Sequence, residues 1–247
     1  MTLLYQIDAS VAGSLFADTA KTTPITNGTG VAAAAPVAGS ITTDALQATS
    51  GSRPTYRANY SSSGYPALEY DGSSDYLAVA HSAAWNVSVL DIFAVVTITN
   101  SASAQGIITK WTNAGWSDAW GVAMNNGAFA CGSPAYTSFS AKITTNQRML
   151  IHCHLQASNN CGEFGPVYGG STSGAGPSNN SASVMIGRAD NTTSGYWIYG
   201  AIHEVRVYGG GETDQTIVDV KNNLRSKWGL AHVTARTAHP MFQQVIG

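Results

Sequence analysis

Residues 121 to 131 read GVAMNNGAFAC, and this stretch decides the fold class. Val122 and Met124 alternate with small residues up to Asn126-Gly127, and a second alternating run, Ala128 to Cys131, follows at once. Asn-Gly supplies the two positive φ values of a type I′ turn, whose twist matches that of paired strands. The stretch is therefore a β-hairpin, and the same grammar extends in both directions. ALEY (67–70), DYLAV (75–79), DIFAVVTIT (91–99), GIITKW (106–111) and WGVAM (120–124) precede or enter it; AFACG (128–132), RMLIHCHLQ (148–156), SVMIGRA (183–189) and WIYGAIHEVRVYG (197–209) continue it. All are short, β-branched or alternating, and bounded by Gly, Asn or Ser. So many strands and turns predict an all-β, two-sheet antiparallel sandwich or jelly roll.

Two regions depart from that rhythm. From Thr19 to Ser52 the chain is Thr, Ala, Gly and Pro, with only Lys21 and Asp44 charged, and reads as irregular covering chain. In ETDQTIVDVKNNLRSKWGL, Ile217, Val220, Leu224 and Trp228 recur at helical spacing. Glu212 and Asp214 stand at its start, Arg225 and Lys227 at its end, and Gly229 follows. One C-terminal amphipathic helix is expected, lying across one end of the sandwich.

Composition narrows the function. Charged residues make up 11% of the 247, the net charge is −2, and Lys and Arg form no cluster. That balance argues against a nucleic-acid partner. No stretch approaches the roughly 18 apolar residues of a membrane span, and no signal peptide opens the chain, so neither membrane insertion nor secretion is expected. Cys131, Cys153 and Cys161 make an odd count without C-x-x-C spacing, which reads as reduced thiols. The sequons at Asn27, Asn59, Asn86, Asn179 and Asn191 follow from a chain rich in Asn, Ser and Thr.

In PALEYDGSSDYLAV (66–79), Glu69, Asp71 and Asp75 fall close together. Asp71-Gly72 reads as a hairpin turn between two strands whose core members are Leu68, Tyr70, Leu77 and Val79. The spacing does not fit an EF-hand, although calcium accepts irregular oxygen cages, so a structural calcium at Asp71 and Asp75 is the one cofactor left open. His152 and His154 share one face of a strand, as zinc ligands often do, but no third ligand is evident, and a solvated or interface surface is the simpler expectation. No catalytic residue is assigned: G-x-S-x-G is absent, and no acid and nucleophile pair is complete. Trp111, Trp116, Trp120 and Tyr136 are the candidate rings for stacking on a sugar, against the alternative of core packing.

The segments LFADTAKTTPITNGTG, DALQATSGSRPTYR, PALEYDGSSDYL, IFAVVTI and MIGRADNTTSGYWIYGAIHEVRVYGGGETDQTIVDVKNNLRSKWGL follow in an order that resembles laminin G-like domains of the concanavalin A-like lectin/glucanase superfamily, of the type found in bacteriophage virion proteins. The resemblance spans most of residues 1–230. It implies a jelly roll and a non-enzymatic, lectin-like subunit displayed on a phage capsid or tail, as a decoration or accessory protein assembled in the host cytoplasm. Implied partners are other virion proteins, further copies of the chain and host-surface glycans. The alternative is a glycan-binding adhesin, and after it a glycoside hydrolase. In the glucanases a strand motif E-x-D-x-E or E-x-D-x-x-E carries both glutamates; here Glu69 and Asp71 match its first half, and Ser73 and Ser74 stand where the second Glu would be. Some members carry Asp before the Glu-Val of the last strand and use it for calcium; here that position is His203. Residues 231–247 form a tail after the domain, expected to be an assembly arm through Val233, Met241, Phe242, Val245 and Ile246.

Overall fold

A computed structural model describes residues 2–61, 64–112, 119–132, 136–156, 159–164, 167–172, 176–189, 196–211 and 213–231. In chain order the strands begin with β1 (Thr2–Asp8), β2 (Leu15–Phe16), β3 (Ala33–Ala34), β4 (Ala45–Leu46), β5 (Thr55–Tyr60) and β6 (Tyr65–Asp71). They continue with β7 (Leu77–Val79), β8 (Leu90–Ile98), β9 (Gln105–Thr109), β10 (Gly121–Asn125), β11 (Ala128–Gly132) and β12 (Tyr136–Lys142). The last are β13 (Arg148–Gln156), β14 (Asn159–Phe164), β15 (Val167–Thr172), β16 (Val184–Ile186) and β17 (Tyr199–Gly209), followed by one helix, α1 (Asp214–Lys227).

These strands form two antiparallel sheets packed face to face, the jelly-roll sandwich expected from the alternation. The first sheet runs β15-β14-β13-β8-β17-β6-β5, with β1 also paired to β17. Strand β17 is long enough to hold β6 beside Tyr199–Ile202 and β1 beside Glu204–Gly209. The second sheet runs β12-β11-β10-β9-β16-β7-β4-β3-β2. Its β10–β11 hairpin pairs Asn125 with Ala128 across Asn126 (φ 48°) and Gly127 (φ 79°), the two left-handed residues of the type I′ turn.

The segment expected as covering chain does more than cover. Val31 to Ala34 are fully buried, and β2, β3 and β4 extend the second sheet by two-residue pairings. Small alanines suit this place because the chain passes close to its neighbours without displacing them. Lys21 and Asp44, the segment's two charges, pair at 2.7 Å.

The helix packs on the outer face of the first sheet rather than across an end of the sandwich. Ile217, Val220, Leu224 and Trp228 bury against Phe93, Val95, Leu150 and Tyr208. This explains why DIFAVVTI lacks polar alternation: Ile92, Ala94, Val96 and Ile98 face the inter-sheet core, while Phe93 and Val95 lie under the helix. Each such side chain contributes about 1.5–3 kcal/mol on burial, before ordering costs. Thr213 caps the helix by accepting from the Thr216 N–H. The other end closes in a Schellman arrangement, with Leu230 N–H donating to the Arg225 carbonyl at 2.9 Å and Gly229 N–H to Ser226. Gly229 has φ +60°, and a Cβ there would meet the Tyr65 hydroxyl at 2.3 Å, so glycine is required twice over.

Candidate functional site

The carboxylates of residues 66–79 are held by the turn itself. Asp71 Oδ1 accepts from the backbone N–H groups of Ser73, Ser74 and Asp75 at 2.9, 2.8 and 3.1 Å, and Oδ2 accepts from the Ser73 and Ser74 hydroxyls at 2.6 and 2.8 Å. Burial pushes its pKa up, but the Ser73 and Ser74 bonds outweigh this and hold Asp71 well below the usual carboxylate range. Asp75 is buried and accepts the Asp71 N–H at 3.1 Å. Desolvation, then the charge of Asp71, pushes its pKa up to about 7. Glu69 is spent on Arg57 at 2.6 Å. Leu68, Tyr70, Leu77 and Val79 all lie in the core, as the alternation requires. The turn is no hairpin, however: β6 belongs to the first sheet and β7 to the second, so Asp71–Asp75 is a crossing between sheets.

His152 and His154 do share a face, with Ile151, Cys153 and Leu155 turned to the core, but that face is covered. His152 stacks on Phe93 at 4.4 Å between ring centroids, and both imidazoles bond one carboxylate oxygen, Asp91 Oδ1, at 2.8 and 2.9 Å. Burial raises the Asp91 pKa, yet the two imidazole bonds win and bring it down to about 2. The expected solvated surface is thus a closed His-Asp-His cluster. Asp91 was not evident from sequence because it stands about sixty residues away, and only the pairing of β13 with β8 opposes it to His154. Among the described residues no group of three His, Cys, Asp or Glu is arranged to hold a metal.

The His203-Glu204 position is structural. A bulge between Ile202 and Glu204 inserts one residue against β8, which turns both side chains away from the inter-sheet core. Glu204 accepts from Gln6 (2.7 Å), Arg206 (2.6 Å), Lys227 (2.7 Å) and the Trp228 indole N–H (2.7 Å), and Lys227 also donates to Asp8. This network ties the end of α1 to β1 and β17. His203 bonds the Pro66 carbonyl and Thr97 at 2.8 and 3.0 Å. Desolvation, opposed by the Pro66 bond, lowers its pKa to about 4.

The aromatic candidates divide. Trp111 and Trp120 are fully buried, so neither ring presents a face to a sugar; Trp120 packs on Trp85, which packs on Tyr5. Trp116 and the Tyr136 side chain lie outside the described residues, as do Val233, Met241, Phe242, Val245 and Ile246 of the tail.

A half-open cleft of about 630 Å³ lies instead where β1 starts and β17 ends. Leu4 and Gly209 line its strand side, Asn86, Val87 and Ser88 come from the loop before β8, and Pro177 and Asn179 come from the segment before β16. Asn86 Oδ1 itself is closed off from solvent, with no hydrogen-bond partner among the described residues. No motif could have disclosed this cleft, since its walls come from four separate stretches.

No family model matches the chain, and no curated relative matches it by sequence. Solved structures do match in shape. Domain 4 of AbnA, an extracellular arabinanase of Geobacillus stearothermophilus, determined in complex with arabinotriose, superposes with a TM-score of 0.55 at 13% identity, over 89% of this chain and 99% of that one. The CBM40 of a Ruminococcus gnavus sialidase, bound to α2,3-sialyllactose, gives 0.50 at 11% identity over 62% and 95%. Trypanosoma rangeli sialidase in complex with sialic acid gives 0.57 at 11% over 88% of this chain but only 32% of that protein. At such identities the likeness is one of fold, and it fits a concanavalin A-like sandwich.

Proposed function

We propose that the chain is a non-catalytic glycan-binding module. The observation that supports this best is the near end-to-end match with a domain determined in complex with arabinotriose. The non-catalytic half rests on the residues themselves: Glu69 is held by Arg57 and Asp71 by its turn, which leaves no pair of carboxyls free to act as acid and nucleophile there. A single site of this kind binds at roughly millimolar strength, so display in several copies multiplies it by avidity. The test is a glycan array probed with the chain displayed multivalently, alongside a product-release assay on the glycans retained. Retention without product release is expected. Product release would return the chain to the glycoside hydrolases, and no retention would remove the glycan reading.

The setting we propose is the surface of a phage particle, where repeated copies supply that avidity and residues 231–247 serve as the arm that docks on a neighbouring subunit. This rests on the order of segments in the sequence. Imaging particles assembled with and without residues 231–247 tests it, and equal incorporation would reject the arm.

A further inference from the structure

The cleft beside β1 and β17 supports a more specific reading, which rests on the proposed glycan-binding role. Its polar side chains are Thr2, Asn86, Ser88 and Asn179; its apolar surface comes from Leu4, Val87 and Pro177; none of the described lining residues is charged. The volume falls within the range of small-ligand sites. Gly209 keeps the strand side open: a Cβ there would come within 3.0 Å of Leu4 Cδ1 and 3.4 Å of Val87 Cγ1.

We infer that this cleft takes a neutral oligosaccharide rather than a sialylated or otherwise anionic one. Sugar hydroxyls both donate and accept, so they match the lining amides and hydroxyls in either sense. The C–H face of the ring covers Leu4, Val87 and Pro177. A carboxylate, sulfate or phosphate entering the same space would lose part of its hydration with no cationic side chain among the described lining residues to meet it, which is unfavourable. Arg57, Arg206 and Lys227 are already engaged with Glu69, Glu204 and Asp8.

The test uses the full chain from a host without N-glycosylation, because Asn86 and Asn179 both stand in sequons. The probes are neutral gluco-, galacto-, xylo- and arabino-oligosaccharides against sialylated, sulfated and uronate counterparts. A preference for neutral probes of about tenfold or more is expected. Asn86→Ala should weaken the best neutral probe about tenfold with melting within about 3 °C of the parent, and Gly209→Val should weaken it likewise at some cost in melting, since its Cβ presses on Leu4 and Val87. Should Gly209→Val fail to fold, Asn86→Ala decides, since it removes only a side chain from a loop. Tyr199→Ala, at the opposite end of β17 and 44% exposed, should change nothing. A tenfold preference for anionic probes, or unchanged binding in both cleft variants with loss in Tyr199→Ala, overturns this site while the module reading stands. Retention of no glycan of either class overturns the module reading and this site with it.

Discussion

Two buried carboxylates, one under the first sheet's outer face and one in the crossing between the sheets, have opposite fates. Asp91, under the outer face, receives two imidazole N–H bonds and is held at a pKa of about 2. Asp75, in the crossing between sheets, receives one backbone N–H and stands near the charge of Asp71, and is pushed up to about 7. Both are almost fully buried, so burial alone does not set the outcome. The donors and the neighbouring charges decide it together: two imidazoles at Asp91, against one backbone N–H and the charge of Asp71 at Asp75. Glu204, 1% exposed with four donors around it, is the anchor of α1.

The hardest break in that comparison is Glu204→Ala. It strands the Trp228 indole N–H and leaves Lys227 with Asp8 and Arg206 with Asn223, and removing one partner of a buried ionic network costs about 3–5 kcal/mol. Melting should fall by about 10 °C. A fall under about 3 °C would mean that the helix is held by Ile217, Val220 and Leu224 alone.

Next in size is acid sensitivity. His203 has a folded pKa near 4, below its unfolded value, so the stability it contributes is present above pH 6.5 and lost as pH falls through 4. Asp91, also depressed, adds a loss as pH falls from about 4 through 2. Each is worth about 3 kcal/mol by linkage. Asp75 has the other sign: its folded pKa is raised, so its contribution is present below pH 4 and lost as pH rises through 7. Between pH 4 and 6.5 the slopes of His203 and Asp75 oppose each other. Denaturant titrations of the parent should therefore be nearly flat across that window, whereas Asp75→Asn should rise with pH by about 3 kcal/mol.

Much of this architecture was legible, and the part that was not has a common cause. The Asn126-Gly127 hairpin and the helix from Thr213 to Gly229 are local, since turn chemistry and helical period lie within a few residues. The crossing at Asp71–Asp75 was read correctly as a turn but assigned to a hairpin, because a turn motif states that the chain reverses and not which sheet receives it. The strands β1, β5, β12, β14 and β15, and the two-residue β2, β3 and β4, are not among the runs read from sequence; β14 and β15 lack apolar alternation, and the two-residue strands are too short to show any. The Asp91 cluster and the cleft depend on strand order, which is set by pairings far apart in the chain. Trp111 and Trp120 show the limit from the other side: an indole in a Gly-rich stretch looks exposed until the sheet that covers it is known.

A smaller effect sharpens the Asp75 side of the comparison. Asp75→Asn keeps an oxygen to accept the Asp71 N–H while removing a charge that lies near Asp71, so at pH 8 it should stabilise the fold by about 1–3 kcal/mol, and at pH 5 by much less. Destabilisation at pH 8 would show that Asp75 has a partner that needs its charge.

The smallest expected effect concerns calcium at the same crossing. A cation there would need oxygen atoms from Asp71 and Asp75, but Asp71 already accepts three backbone N–H bonds and two hydroxyl bonds, all of which define the turn. Binding would have to break several of them, while relieving the repulsion that raises the Asp75 pKa. The first cost outweighs the second, since five charge-assisted bonds that define the turn oppose the relief of a single carboxylate repulsion. Melting at pH 7.5 with EDTA or with millimolar calcium should differ by less than about 2 °C. A rise of more than about 5 °C on adding calcium, abolished in Asp75→Asn, would instead make Asp71 and Asp75 a ligand pair and the raised pKa of Asp75 the mark of a cation site.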